Sequence, residues 1–136
     1  MESVKNKIRT AVIIFLFSCL LILLFICADT GKLPEFVSNL YSFPFGDKVG
    51  HILVMGFFSF IFQFCFYSNT ENKKQNAKRI ILIALIFAVL ITGEEFSQLF
   101  FEKRTFSTAD LLSSYTGIGI ASLINIKLLR FRRFVP

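Results

Sequence analysis

The chain has 136 residues, of which 54% are hydrophobic and only 18% are charged, and it contains 19 Phe and no Trp. A soluble domain of this length cannot bury so much apolar surface, so the composition argues against a soluble protein. The net charge of +6 comes from short basic clusters beside apolar segments. Such clusters are typical of attraction to anionic membrane lipid and not of nucleic-acid binding.

Long apolar runs dominate the sequence, and they cover residues 11–28, 49–67, 80–101 and 111–129. Each run is of spanning length, because a helix needs about 20 residues to cross the hydrocarbon core of a membrane. The alternative, a soluble bundle of buried helices, requires polar helix faces that these runs lack. The sequence therefore predicts an all-α, polytopic membrane protein with four transmembrane helices in a single membrane domain, residues 1–136.

The first run follows a short basic segment, so a signal peptide is one interpretation of it. The run is longer than the usual apolar core of a signal peptide, and Phe25-Ile26-Cys27-Ala28 is a poor cleavage or lipidation sequence. We expect a retained helix, with cleavage as the alternative.

The first connection, residues 29–48, is rich in apolar residues. Pro34 occupies a suitable first helical position, and apolar residues follow it at helical spacing. This pattern predicts a short amphipathic helix that ends before Pro44 and lies in the membrane interface, where it would cover polar groups like a lid. An ordinary loop with aromatic anchors is the alternative.

The basic residues predict the orientation. Most of the 15 Lys and Arg residues flank the runs at one end, and they are Lys5, Lys7, Arg9, Lys73, Lys74, Lys78, Arg79, Lys127, Arg130, Arg132 and Arg133. The positive-inside rule places this end, and with it both chain termini, in the cytoplasm. Most of the nine acidic residues then lie on the extracytoplasmic side of the membrane.

Small residues at four-residue spacing, Ser113, Gly117 and Ala121, form a thin face on the fourth run. Such a face lets helices approach closely in lipid, within one chain or, as the alternative, across a homodimer. Just before this run, Ser107 and Asp110 have the spacing of a capping pair at a helix start.

The third run carries carboxyl groups inside its predicted span. Glu95 and Gln98 share one helix face, while Glu94 and Gln98 share a neighbouring face. A carboxylate at this depth must be protonated or paired, so Glu95 is a site candidate. The alternative is an ion pair that only locks helices together.

The only histidine, His51, follows Asp47 by one helical turn at the start of the second run. An imidazole there can act as a general base or as a hydrogen-bonding group. Asp47 and Lys48 are candidate ligand-binding residues, although a solvated pair at a helix start would look the same. The sequence contains no metal-binding motif and no Gly-rich phosphate loop, so we expect neither a metal nor a cofactor.

Arg104 lies just beyond the third run, six residues before Asp110. Its planar guanidinium group could hold a phosphate or a carboxylate of a ligand. It could equally neutralise Asp110 or Glu95.

These residues resemble the motifs of a known family. Asp47-Lys48-Val49-Gly50-His51 resembles the DKxxH signature of the VanZ-like family, Glu95-Phe96-Ser97-Gln98 resembles its ExxQ motif, and Arg104, Asp110 and Gly117 resemble its R-x5-D-x6-G motif. The resemblance covers residues 45–125, and Ser114 stands where the family usually has Asn. It implies a small polytopic membrane protein of the bacterial plasma membrane, some relatives of which are associated with low-level resistance to glycopeptide antibiotics such as teicoplanin.

We therefore expect action on the cell envelope at the outer leaflet. Asp47, Lys48, Gln98, Arg104 and Asp110 would bind a membrane lipid or a lipid-linked envelope precursor, and His51 and Glu95 are the acid–base candidates if a bond is broken. A non-catalytic scaffold with a structural ion network is the alternative. Transport is less favoured, because the cytoplasmic halves of the helices offer few polar groups.

Overall fold

The computed structural model describes residues 2–32, 35, 39, 44–67, 72–100 and 105–131, without the side chains of residues 2–7, 28, 29, 130 and 131. The helices are α1 (Glu2–Asp29), α2 (Gly46–Cys65), α3 (Lys73–Ser97), a 3-10 turn (Gln98–Phe100) and α4 (Thr108–Phe131). All regular structure in the described ranges is helical, so the predicted all-α class is confirmed.

Within the described ranges, four helices are long and apolar enough to cross a membrane. Their candidate spans are Ile8–Cys27, Gly46–Cys65, Lys73–Phe100 and Thr108–Leu129. The length and composition of these helices fit the predicted multi-pass membrane protein. The orientation of the termini stays a prediction.

The helices extend beyond the apolar runs. α3 begins at Lys73 and not near Ile80, because Asn72 and Gln75 form a reciprocal cap: Gln75 N donates to Asn72 Oδ1 at 2.9 Å and Asn72 N donates to Gln75 Oε1 at 3.2 Å. Residues 73–79, a Lys-rich stretch that precedes the third apolar run, are thus the first part of α3. α2 likewise begins at Gly46, so its first turn includes Asp47.

Glu35 and Asn39 are the only described residues between Lys32 and Pro44, and both are helical. The rest of the predicted interfacial helix lies outside the described residues. The lid over the polar groups stays a prediction.

α2 and α4 run in the same direction and form the main packing contact of the bundle. Contacting pairs keep a nearly constant separation along the chain, 62 residues for Lys48–Asp110, 63 for His51–Ser114 and 62 for Gln63–Asn125. The term polar end is used here for the end of the bundle at which α2 and α4 begin. The opposite end, where α3 begins at Lys73, is the basic end.

α2 and α4 approach each other backbone to backbone at Gly56 and Gly117. A methyl group added to Gly56 would lie 3.2 Å from the carbonyl oxygen of Gly117. One added to Gly117 would lie 2.9 Å from the backbone nitrogen of Gly56 and would collide with the carbonyl oxygen of Ile52. Both glycines are therefore needed for the helices to touch backbone to backbone, as small residues allow in lipid. The predicted use of Gly117 in packing within one chain is confirmed.

The apolar core lies where α2, α3 and α4 meet, and its buried members are Met55, Phe58, Phe87, Ile91 and Ile118. α1 lies beside this core and is largely exposed. It contacts α2 through Phe17, whose ring centroid is 5.9 Å from that of Phe57 and 6.0 Å from that of Phe58.

A layer of hydrogen-bonded amides and hydroxyls joins α2 and α4 towards the basic end. Gln63 Nε2 donates to Ser59 Oγ at 2.9 Å and to Ser122 Oγ at 2.8 Å. Asn125 Nδ2 donates to Gln63 Oε1 at 3.0 Å. These side chains satisfy one another, so the layer fixes the two helices together.

Candidate functional site

The start of α2 places two charged residues at the polar end. Phe45 has a left-handed backbone conformation (φ 65°), and Gly46 begins the helix immediately after it. Asp47 therefore lies in the first turn, where a carboxylate is stabilised by the positive end of the helix dipole.

Lys48 lies between two carboxylates from different helices. Its Nζ is 2.6 Å from Asp47 Oδ2 and 3.2 Å from Asp110 Oδ1, so it bridges α2 and α4. The side chains are 32% exposed for Lys48, 45% for Asp47 and 16% for Asp110. This bridge forms the accessible rim of the site.

The start of α4 is capped by two residues. Asp110 N donates to Ser107 Oγ at 3.3 Å, which confirms the predicted capping contact. The reciprocal contact comes from another helix, because Ser107 N donates to Glu95 Oε1 at 2.8 Å. In a capping box the residue at position 110 would accept that bond. Glu95 takes this role, and the Asp110 carboxylate instead contacts Lys48.

Glu95 is fully buried. Its Oε1 accepts the bond from Ser107 N, and its Oε2 accepts a bond from Gln98 Nε2 at 3.1 Å. A buried carboxylate requires such partners, since an unpaired one would carry a large desolvation penalty. Glu95 therefore points into the helix interface and not towards the lipid.

Gln98 connects the two neighbouring glutamates. Its Nε2 is 3.1 Å from Glu94 Oε1 and 3.1 Å from Glu95 Oε2. Gln98 is itself buried in the 3-10 turn that follows α3. The predicted grouping of these three side chains on adjoining faces is confirmed.

His51 lies one turn deeper than Lys48. Its Nδ1 is 3.2 Å from Ser114 Oγ, and Ser114 is fully buried. The Ser114 hydroxyl thus contacts the imidazole. The family that the sequence motifs resemble usually has an amide side chain at this position. His51 is partly exposed, so the ring can be reached.

A further polar contact, which the sequence reasoning missed, lies below Glu95. Thr92 Oγ1 and Tyr115 OH are 2.6 Å apart and join α3 to α4. The signal was weak, because each is an isolated hydroxyl within an apolar run. Thr92 precedes Glu95 by one turn, and Tyr115 follows Ser114 directly.

The predicted site residues largely converge. We call the following set the polar cluster: Asp47, Lys48, His51, Glu94, Glu95, Gln98, Ser107, Asp110 and Ser114. Contacts run without a break from Asp47 through Lys48, Asp110, Ser107, Glu95 and Gln98 to Glu94. Arg104 lies outside the described residues, so its part in the site stays a prediction.

The polar cluster is rich in hydrogen-bond acceptors. It contains four carboxyl groups against one ammonium group and one imidazole. Lys48 already contacts two of these carboxylates. The described side chains are therefore best suited to a ligand that offers hydroxyl, amide or ammonium donors.

Comparisons of the chain with family models, with curated proteins and with solved structures found no match. The function is therefore inferred from the polar cluster and from the motif resemblance. Lys48, Glu95 and Asp110, one described residue from each of three motifs that are far apart in the sequence, are joined at one end of the bundle.

Proposed function

We propose that this protein is a VanZ-like protein of the bacterial plasma membrane that acts on the cell envelope at the outer leaflet. Its polar cluster binds the head group of a membrane lipid or of a lipid-linked cell-wall precursor. The observation that carries the proposal is the Lys48 bridge, whose partly exposed rim continues through Ser107 to the buried Glu95. Solvent reaches the rim, and the buried Glu95 behind it holds the neighbouring groups in place. An accessible set of fixed polar groups can orient a ligand.

The outer-leaflet location follows from the basic residues. Lys73, Lys74, Lys78 and Arg79 lie at the basic end in the first turns of α3. The positive-inside rule assigns that end to the cytoplasm, so the polar cluster faces the extracytoplasmic side.

Within the site, the roles of His51 and Glu95 differ. Both oxygens of Glu95 accept hydrogen bonds from the protein, so its carboxylate holds Ser107 and Gln98 in place. The partly exposed His51 is the group that can reach a ligand and transfer a proton. His51 is therefore the first candidate for chemistry, and Glu95 is a positioning residue.

Resistance to glycopeptide antibiotics is the cellular effect that the resemblance implies. Teicoplanin-type drugs carry a lipophilic tail, which brings them to the outer leaflet. A protein that binds or modifies a lipid or a precursor there would act where these drugs meet the envelope.

The second candidate function is a non-catalytic scaffold. The complete burial of Glu95, with both of its oxygens bonded, favours it. In that case the polar cluster is a structural network, and loss of one member lowers protein abundance because its partner is left unpaired.

The experiment compares His51→Ala and Lys48→Ala with Lys74→Ala, a control at the exposed basic end. Each variant is expressed in a teicoplanin-sensitive bacterial host, and both the minimal inhibitory concentration and the membrane abundance are measured. We expect the natural chain and Lys74→Ala to protect the cells, and the two site variants to lose protection at unchanged abundance.

Three results would count against the proposal. Full protection by both site variants would show that the polar cluster is not a functional site. Loss of protection in proportion to loss of membrane abundance would favour the scaffold. Absence of protection by the natural chain would contradict the link to resistance.

A further inference from the structure

A groove of about 790 Å³ lies between α1 and the α2–α3 pair. Its walls are apolar side chains from three helices, including Ile14 and Leu21 of α1, Phe62 of α2, and Ile83 and Leu90 of α3. The groove shares only Glu94 with the polar cluster, whose other contacts join α2, α3 and α4.

The groove exists because α1, in its described part, packs chiefly on α2. Phe17 of α1 packs on Phe57 and Phe58 of α2, whereas α3 packs chiefly on α4. A cleft therefore remains open between α1 and α3. In a membrane, such a cleft must be filled by a hydrocarbon chain or by another apolar surface.

The dimensions of the groove fit a lipid tail. Its α3 wall runs from Arg79 to Glu94, which is about 22 Å at a helical rise of 1.5 Å per residue. This length is most of the hydrocarbon core, which is about 30 Å thick. An extended hydrocarbon chain can lie along it.

Polar groups stand only near the ends of that wall. Glu94 lies at the polar end and Arg79 at the basic end, and the α3 residues between them that line the groove are apolar. Ser18, on the α1 wall, uses its hydroxyl to bond the carbonyl oxygen of Ile14 at 2.8 Å. The preferred occupant is therefore apolar along its length and polar at its end, as a membrane lipid is.

Glu94 connects the groove to the polar cluster. It lines the groove, and its Oε1 also accepts a hydrogen bond from Gln98, which donates to Glu95 as well. A tail in the groove would thus place its head group beside the polar cluster.

We propose that the groove holds one hydrocarbon tail of an outer-leaflet lipid, and that Glu94 accepts a hydrogen bond from a donor at the junction of head and tail. This inference rests on the proposed function for the leaflet and names the ligand class: a lipid whose head group carries a hydroxyl, amide or ammonium donor. A head group without a donor binds more weakly.

The chain has no Trp, so a single introduced tryptophan is its only indole fluorophore. Ile86→Trp places it in the groove wall, and Val89→Trp places it one turn away on α3, at a residue that is 71% exposed and does not line the groove. The purified variants are titrated in detergent with phosphatidylethanolamine that carries brominated acyl chains, which quench tryptophan on contact.

We expect saturable quenching of Ile86→Trp that unbrominated lipid reverses. Val89→Trp should be quenched only in proportion to the brominated lipid present. Leu82→Trp, another groove residue, repeats the test if Ile86→Trp does not purify as a uniform species. Equal quenching of Ile86→Trp and Val89→Trp, in proportion to the brominated lipid, would overturn the tail site. So would a tryptophan at position 86 that no lipid quenches because a second copy of the chain covers it.

The role of Glu94 is tested with brominated phosphatidylcholine, whose head group has no hydrogen-bond donor. A charge-assisted hydrogen bond corresponds to about a tenfold difference in affinity, so phosphatidylethanolamine should bind Ile86→Trp about tenfold more tightly. Adding Glu94→Leu should abolish the difference. Equal affinity of the two lipids before that change would overturn the Glu94 contact. The assay needs no antibiotic and no cells, so its failure and the failure of the proposed function are separate results.

Discussion

The backbone N–H of Ser107 donates to the buried carboxylate of Glu95 at 2.8 Å. This bond ties the end of α3 to the first residue before α4, across a connection of only a few residues. It also satisfies a donor that would otherwise lack a partner at a helix start. Glu95 therefore caps a neighbouring helix, and that leaves Asp110 available to contact Lys48.

Glu95→Ala should lower the free energy of unfolding by about 2–3 kcal/mol, because Ser107 N loses its acceptor and Gln98 loses one of its two. Glu95→Gln keeps an amide oxygen for Ser107 N and should lose less than half as much. Heating of the detergent-solubilised protein, followed by size-exclusion chromatography, measures the difference. Equal losses in the two variants would show that charge, and not the hydrogen bond to α4, is what Glu95 supplies.

Lys48→Met should lower the melting temperature by less than Glu95→Ala does, because its bridge is partly exposed and screened by solvent. Asp110 is then left without its cation. The double variant Lys48→Met with Asp110→Asn should recover stability, because the unpaired charge is removed. Thermal stability measurements on the single and double variants form the test. If the double variant is less stable than Lys48→Met alone, the two residues are not energetically paired.

Gly117→Ala should destabilise the protein by about 1–3 kcal/mol, because the new methyl group collides with α2. Gly119→Ala is the matched control on the same helix, since a methyl group there meets nothing within 4 Å. Its effect should stay within about 0.5 kcal/mol. Thermal unfolding of both variants compares them directly, and a tolerated Gly117→Ala would contradict the backbone contact at Gly56.

Gln63→Leu should destabilise the protein by about 1–2 kcal/mol, since hydrogen bonds between membrane helices contribute modestly and Gln63 makes several of them. Thr116→Val is the control, because the Thr116 hydroxyl bonds only within its own helix, to the carbonyl oxygen of Leu112. Unfolding measurements should separate the two variants. Similar stability in both would mean that the Gln63 layer does not hold α2 against α4.

The helices could be predicted because their apolar runs are long and uninterrupted. The first residues of the helices are harder to predict, because they can be polar. α3 begins in a Lys- and Asn-rich segment, since the Asn72–Gln75 cap stabilises a helix that apolar content does not reveal. Charged residues extend a membrane helix into water without any hydrophobic signal.

The polar cluster could be predicted because its titratable residues all fall near the same ends of successive runs. The contacts that join these residues could not be predicted. The partner of Glu95 is a backbone N–H, which carries no signal in the sequence. Likewise, Gly117 showed a small-residue pattern, whereas its partner Gly56 is an isolated glycine whose register only the fold reveals.

The account depends most on the polar end facing the outside of the cell. Cysteine labelling tests this after Cys19, Cys27 and Cys65, which are free thiols, are replaced by alanine. Thr105→Cys is then placed at the polar end and Lys74→Cys at the basic end, both at exposed positions. We predict that a membrane-impermeant maleimide labels Thr105→Cys in intact cells and labels Lys74→Cys only after permeabilisation. The reverse pattern would place the polar cluster in the cytoplasm and contradict the proposed action at the outer leaflet.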